Sequence, residues 1–152
     1  MFSRRQFTAT GLSAAAMLAA SSRTFGESKP ESPSGSEGAF TKCAQACSDC
    51  QRECDACARH CATQISQGHK HHMATLESCL DCATVCAAAS QIVSRQGPFS
   101  SLICAACADA CQRCSKDCQD HGRDDKLMSR CADECRRCET ACRDMMKDVK
   151  FQ

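Results

Sequence analysis

From residue 40 to residue 149 the chain repeats one spacing. A small or apolar position recurs every third or fourth residue, with charged and amide residues between. That alternation is the stripe of an amphipathic helix whose apolar face meets other helices. Breaks fall at Gly68, Gly97-Pro98 and Gly122, residue types that end helices. Four helices are predicted: Phe40 to Gln67, His71 to Gln96, Phe99 to His121 and Asp124 to Lys150, with Asp125 favouring the first turn of the last. Short connections make neighbours antiparallel, so the predicted fold is all-α, an antiparallel up-down four-helix bundle.

The composition of the stripe changes the picture. In an ordinary bundle it would hold Leu, Ile and Val. Here it holds Cys43, Cys47, Cys50, Cys54, Cys57 and Cys61; Cys79, Cys82 and Cys86; Cys104, Cys107, Cys111, Cys114 and Cys118; and Cys131, Cys135, Cys138 and Cys142. Those are all eighteen cysteines of a 152-residue chain without Trp or Tyr. The predicted bundle therefore has a Cys-lined core, packed by thiols and Ala in place of aromatic rings.

The heptads stack into layers about 5 Å apart. At the end holding the first and third loops lies Gln64, His72, His121 and Met128. Next come Cys61, Thr75, Cys118 and Cys131. Three layers wholly of Cys follow: Cys57, Cys79, Cys114, Cys135; Cys54, Cys82, Cys111, Cys138; Cys50, Cys86, Cys107, Cys142. Below them lie Cys47, Ala89, Cys104, Met145, then Cys43, Val93, Ser100, Val149. The expected tube is closed by Phe40, Phe99, Val93 and Val149 and has a polar mouth at the opposite end.

The N-terminus reads as an address. Ser3-Arg4-Arg5-Gln6-Phe7 resembles the twin-arginine motif of bacterial Tat signals, and the weakly apolar stretch Ala9 to Ala20 is too short for a stable membrane span. Residues 1–26 are expected to be a Tat signal peptide, 27–39 a disordered Ser/Pro/Gly/Glu-rich linker, and 40–152 the bundle. Loss of residues 1–26 removes Arg4, Arg5 and Arg23 and turns a formal charge of +1 into −2. With acids and bases interleaved and no basic stripe, nucleic acid is not expected as a partner.

Thiols at this density point to a soft metal. Disulfides are the first rival, because an exported protein meets an oxidising space. Cβ atoms at i and i+3 or i+4 lie about 5–6 Å apart, however, against about 3.8 Å for a disulfide. Zinc wants a tetrahedron of four ligands, whereas stacked layers offer squares. Iron–sulfur clusters take their Cys from loops, and no Cys here precedes Pro. Cu(I) accepts two or three thiolates, and one Cu(I) per thiolate leaves a buried core neutral. A zinc or mixed-metal detoxifying protein of metallothionein type is the alternative, and an iron–sulfur electron carrier a more distant one.

On the ladder Cys43 to Cys61, the set Cys79, Cys82, Cys86 and the ladder Cys131 to Cys142, residues 40 to 150 resemble the bacterial copper storage protein family, in its Tat-exported branch. The resemblance implies many Cu(I) ions on core Cys pairs, a homotetramer of bundles, and metal entry at a His/Met end. The exported branch carries fewer Cys than this chain. The implied role is periplasmic: to buffer copper or supply it to a recipient copper enzyme, with the Tat translocase as export partner.

His69, His71, His72 and Met73 crowd the first loop, opposite His121 and Met128. Of these, His72, His121 and Met128 fall on core positions and are the expected ligands of an entry mouth. His60 lies off the core and Met145 reads as filler. With so many thiols, no single Cys–His pair stands out as a nucleophile and base, and no enzyme is expected.

Overall fold

The computed structural model describes residues 35–121 and 125–149. The chain divides into two units, 1–30 and 31–152, and every described residue lies in the second. The expected signal at 1–26, and the expected linker up to residue 34, lie outside the described residues.

Four helices form: α1 Gly35–Ser66, α2 Met73–Ser94, α3 Ser100–His121 and α4 Lys126–Asp148. Helix α1 begins five residues before its expected start, so residues 35–39 are helix and not linker. Extension costs little once Phe40 is docked, since each further residue adds a hydrogen bond. Glu37 suits the positive end of the helix dipole, and its carbonyl accepts from Thr41 Oγ1 at 3.0 Å. Helix α1 stops at Gly68 (φ 97°), whose amide donates to the Ile65 carbonyl. A single 3-10 turn, Lys70–His72, then leads into α2. At the far end of α2 the left-handed residue is Gln96 (φ 51°), one place before the expected Gly97. The Gly97 amide reaches back to the Ile92 carbonyl at 3.1 Å. Asp125 caps α4: its Oδ1 accepts from the amides of Leu127 (2.9 Å) and Met128 (3.2 Å).

Directions follow from which thiols meet. Cys79 lies against Cys114 and Cys86 against Cys107, so α2 and α3 are antiparallel. Cys43 lies against Cys142 and Cys54 against Cys131, so α1 and α4 are too. The fold is the expected up-down bundle, and all eighteen Cys are buried. The helical segment Lys70–Ser94, α2 with the turn before it, is long and apolar enough to cross a membrane by length and composition. In the bundle it packs Cys79, Cys82, Cys86, Ala89 and Val93 into the core.

The flat layers are not what forms. The expected register pairs Cys57 with Cys114; instead Cys57 meets Cys118, and Cys50 meets Cys111. Cys43, expected among Val93, Ser100 and Val149, lies 3.6 Å from Cys104 and 3.7 Å from Cys142. The slip between α1 and α3 is three to four residues, about one turn or 5–6 Å. A side chain in a close-packed bundle fits between the side chains of its neighbour, not level with them. Between α2 and α3 the expected pairs do form, Cys79 with Cys114, Cys82 with Cys111 and Cys86 with Cys107. The stagger lies between α1 and the helices α3 and α4, and along it the thiols rise as a ramp. Phe99 does not close the tube and is 65% exposed. Ser100 takes the core position, and one residue back along a helix is about 100° around it. Phe40, Val93 and Met145 cover that end, with Val149 partly buried beside them.

Candidate metal centre

Thiols crowd one another throughout the core. Sγ–Sγ distances between helices are 3.6 Å for Cys54–Cys135 and Cys86–Cys111, 3.7 Å for Cys79–Cys118 and 3.8 Å for Cys82–Cys111. Within helices, Cys50–Cys54 is 3.9 Å and Cys82–Cys86 is 4.0 Å. All are far longer than a disulfide of about 2.05 Å, and all eighteen are free thiols. The stagger gathers the sulfurs into four-membered groups in which every pair lies within 4.8 Å. They include Cys47/Cys107/Cys138/Cys142, Cys50/Cys82/Cys86/Cys111, Cys54/Cys114/Cys131/Cys135 and Cys57/Cys79/Cys118/Cys131. Each takes its sulfurs from three or four helices. The square layers that counted against a tetrahedral ion are therefore absent.

Electrostatics keep many of these sulfurs protonated until a cation arrives. Cys61 is pushed up to about 12, first by burial and then by the neighbouring charge of Cys57. Asp125 adds to that through its own negative charge. Where thiols touch, an S–H that donates holds its proton and the sulfur that accepts gives its proton up more readily. Cys54 is pushed up in this way, first through Cys114, and Cys114 is pushed down, first through Cys118. Among the described residues no Lys or Arg side chain is buried in this core. Thiolates there call for a bound cation of their own.

At the mouth, Met128 is fully buried and His72 is 7% exposed. Both take the core positions expected of them. His121 ends α3, and its side chain lies outside the described residues. Gln64 is only partly buried. Thr75 stands in the wall between His72 and Cys79, its hydroxyl donating to the Asp117 carbonyl at 3.3 Å. The sequence undervalued His60. Its Nε2 lies 2.6 Å from Asp125 Oδ2, and its ring meets His72 edge-on at 6.1 Å between centroids. His72 in turn lies 4.4 Å from His71, which lies 5.9 Å from His69. Four imidazoles thus run from exposed His69 to the residue beside Cys61. Adjacency to Cys61 was the one signal of His60 in the sequence.

The outer face is ordinary. Arg52 pairs with Asp49, Arg130 with Glu53 at 2.7 Å and Arg143 with Asp109 at 3.3 Å. Exposed pairs of this kind are screened by water and contribute little to stability. Arg113 is exposed.

Residues 36–147 match the family model described as Csp, copper storage protein. The chain belongs to the copper storage protein family. It is similar in structure to a cytosolic copper storage protein from Streptomyces lividans, solved with five coppers: 27% identity, TM-score 0.69, covering 76% of this chain and 98% of that one. A structure of the copper storage protein Ccsp from Streptomyces lividans, loaded with 10 copper equivalents, matches at the same identity and TM-score over 80% of this chain and 94% of that one. The Cu(I)-bound copper storage protein BsCsp3 is 32% identical with a TM-score of 0.64, covering 71% of this chain and 98% of that one. An uncharacterized cysteine-rich protein, YhjQ of Bacillus subtilis (strain 168), is 35% identical over 82 residues, 54% of this chain and 74% of that protein. With this membership the function is copper storage, and the thiol core of this family member is where its soft donors are gathered.

Proposed function

We propose that the eighteen core cysteines hold many Cu(I) ions as thiolates, and that the bundle serves as a buffer or source of copper. The observation that carries this is the unbroken run of buried Sγ–Sγ contacts, from Cys43–Cys104 at 3.6 Å to Cys57–Cys118 at 3.9 Å. Each Cu(I) that displaces a thiol proton leaves its site neutral, so filling does not accumulate buried charge. Two- and three-coordinate Cu(I) can use any adjacent pair or trio along the ramp.

Copper enters at the His/Met end. His72 and Met128 supply borderline and soft donors above Cys61, Cys118 and Cys131, with His121 as a third ligand. The protein is exported by the Tat pathway to the periplasm, on the strength of Arg4-Arg5 and the small and apolar residues behind them. It assembles as a homotetramer through the outer faces of α2 and α3. Exposed Leu80, Leu102 and Phe99 support this, Leu102 being 71% exposed.

The deciding experiment is an anaerobic Cu(I) titration of the reduced protein against a competing chelator. A tight endpoint near one ion per thiol is expected. An endpoint of only a few ions, with zinc competing at similar stoichiometry, overturns storage on the core. Sedimentation of the full chain and of a Leu80→Lys/Leu102→Lys variant tests the assembly, and the variant is expected to run as a smaller species.

A further inference from the structure

The four-sulfur groups have an edge length of their own. A tetrahedral ion with metal–sulfur bonds of about 2.3 Å holds its sulfurs about 3.8 Å apart. In the group Cys47/Cys107/Cys138/Cys142, four of the six edges are 3.9 Å (Cys47–Cys107), 3.6 Å (Cys47–Cys142), 3.9 Å (Cys107–Cys138) and 3.8 Å (Cys47–Cys138), and the other two lie within 4.8 Å. In Cys50/Cys82/Cys86/Cys111 four of the six are 3.8 Å (Cys50–Cys111), 4.0 Å (Cys82–Cys86), 3.8 Å (Cys82–Cys111) and 3.6 Å (Cys86–Cys111), the others again within 4.8 Å. In Cys54/Cys114/Cys131/Cys135, Cys54 lies 3.6 Å from Cys135 and 3.9 Å from Cys131.

These three groups share no thiol. They also follow one rule. Each takes an i,i+4 pair from one helix (Cys138/Cys142, Cys82/Cys86 or Cys131/Cys135). One sulfur from each of two other helices completes it. In all three, α1 supplies a sulfur (Cys47, Cys50, Cys54) and so does α3 (Cys107, Cys111, Cys114).

We propose that these groups are three preformed tetrahedral cages for a thiophilic divalent ion, zinc being the type, and that copper-poor protein holds such ions as exchangeable occupants. This rests on the storage reading for its second half, because Cu(I) is what replaces the occupant. Loading a cage exchanges four S–H protons for one divalent ion and leaves a net charge of −2. Four Cu(I) entering the same four thiolates release that ion and leave no net charge, so both sides of the exchange carry +2. Buried charge disfavours the divalent cage and favours the copper cluster, which sets the direction of exchange. The oxidation states of both metals are unchanged.

The probe is Co(II), whose visible d–d absorption reports tetrahedral sulfur ligation directly. Reduced, metal-free full-length protein is titrated anaerobically with Co(II), then with Cu(I). The expected result is about three Co(II) per chain with the intense bands of a four-sulfur site, bleached as Cu(I) is added. A Cys107→Ser/Cys138→Ser variant that keeps its helical circular dichroism is expected to lose one of the three. Weak octahedral absorption, or a variant that still binds three, overturns the proposal. If the parent protein fills with Cu(I) but takes no Co(II), the cages alone fail. If it takes neither, the storage reading fails with them.

Discussion

The metal-free bundle is expected to lose stability in mild alkali. Cys61 is pushed up from 9.0 to about 12, first by burial, and Cys54 and Cys111 are pushed up further, first through their contacts with Cys114 and Cys107. Below pH 9 the folded and unfolded chains both keep these protons, and their contribution to stability is fully present. Above pH 9 the unfolded chain releases them while the bundle still holds them. Each such thiol then costs the fold about 1.4 kcal/mol per pH unit, until its folded value is passed. Cys61 lies beside partly exposed His60 and Asp125, where water screens part of this, so about 1 kcal/mol at pH 10 is its share. Three thiols of this kind remove about 3–4 kcal/mol at pH 10 from a domain holding about 5–15 kcal/mol. Urea unfolding followed by circular dichroism, on reduced metal-free protein at about pH 7, 9 and 10, reads the loss as a falling midpoint at constant slope. Protein filled with Cu(I) has no protons to release there, and its midpoint is expected to stay level. A metal-free midpoint that is flat from pH 8 to pH 10 would refute a dry, cation-free thiol core.

Replacing His72 and His121 by Ala and Met128 by Leu together is expected to slow copper uptake from a chelator in stopped-flow, with the final ion count unchanged; loss of many ions would remove the mouth. Replacing Cys54, Cys82, Cys111 and Cys138 by Ser is expected to lower the ion count while the helical signal persists. Asp125→Ala removes the α4 cap and the His60 partner and is expected to cost about 1–2 kcal/mol in urea unfolding, against about 0.5 kcal/mol for Asp125→Asn, which keeps an accepting oxygen. Thr75→Cys puts a nineteenth thiol in the wall beside Cys79 and is expected to raise the Cu(I) count by one, at little cost in stability, because the Thr75 hydroxyl bond is long at 3.3 Å.

What could be read in advance divides along a physical line. Periodicity names the side of a helix that faces inward, and it did so for every cysteine here, because burial of a stripe depends only on angle around the axis. It fixes height along the axis less well: the expected levels hold between α2 and α3 but not between α1 and α3. Cys57 paired with Cys118, not Cys114, because height is set by how side chains interlock across four helices, a property of the assembled bundle. The same limit hid the start of α1, where docking of Phe40 carries the helix into residues whose composition reads as linker. It also hid the place of His60, which is paired only because Asp125 arrives from the start of α4 to within 2.6 Å of its ring. The error in height is also what matters chemically. Level thiols would make squares, and squares would separate soft monovalent ions from tetrahedral divalent ones by shape. The ramp makes compact four-sulfur groups, every pair within 4.8 Å and many edges at 3.6 to 4.0 Å, which can serve both. Discrimination in this core therefore falls to charge: a monovalent ion neutralises the thiolate that binds it, whereas a divalent ion in a four-thiolate cage does not.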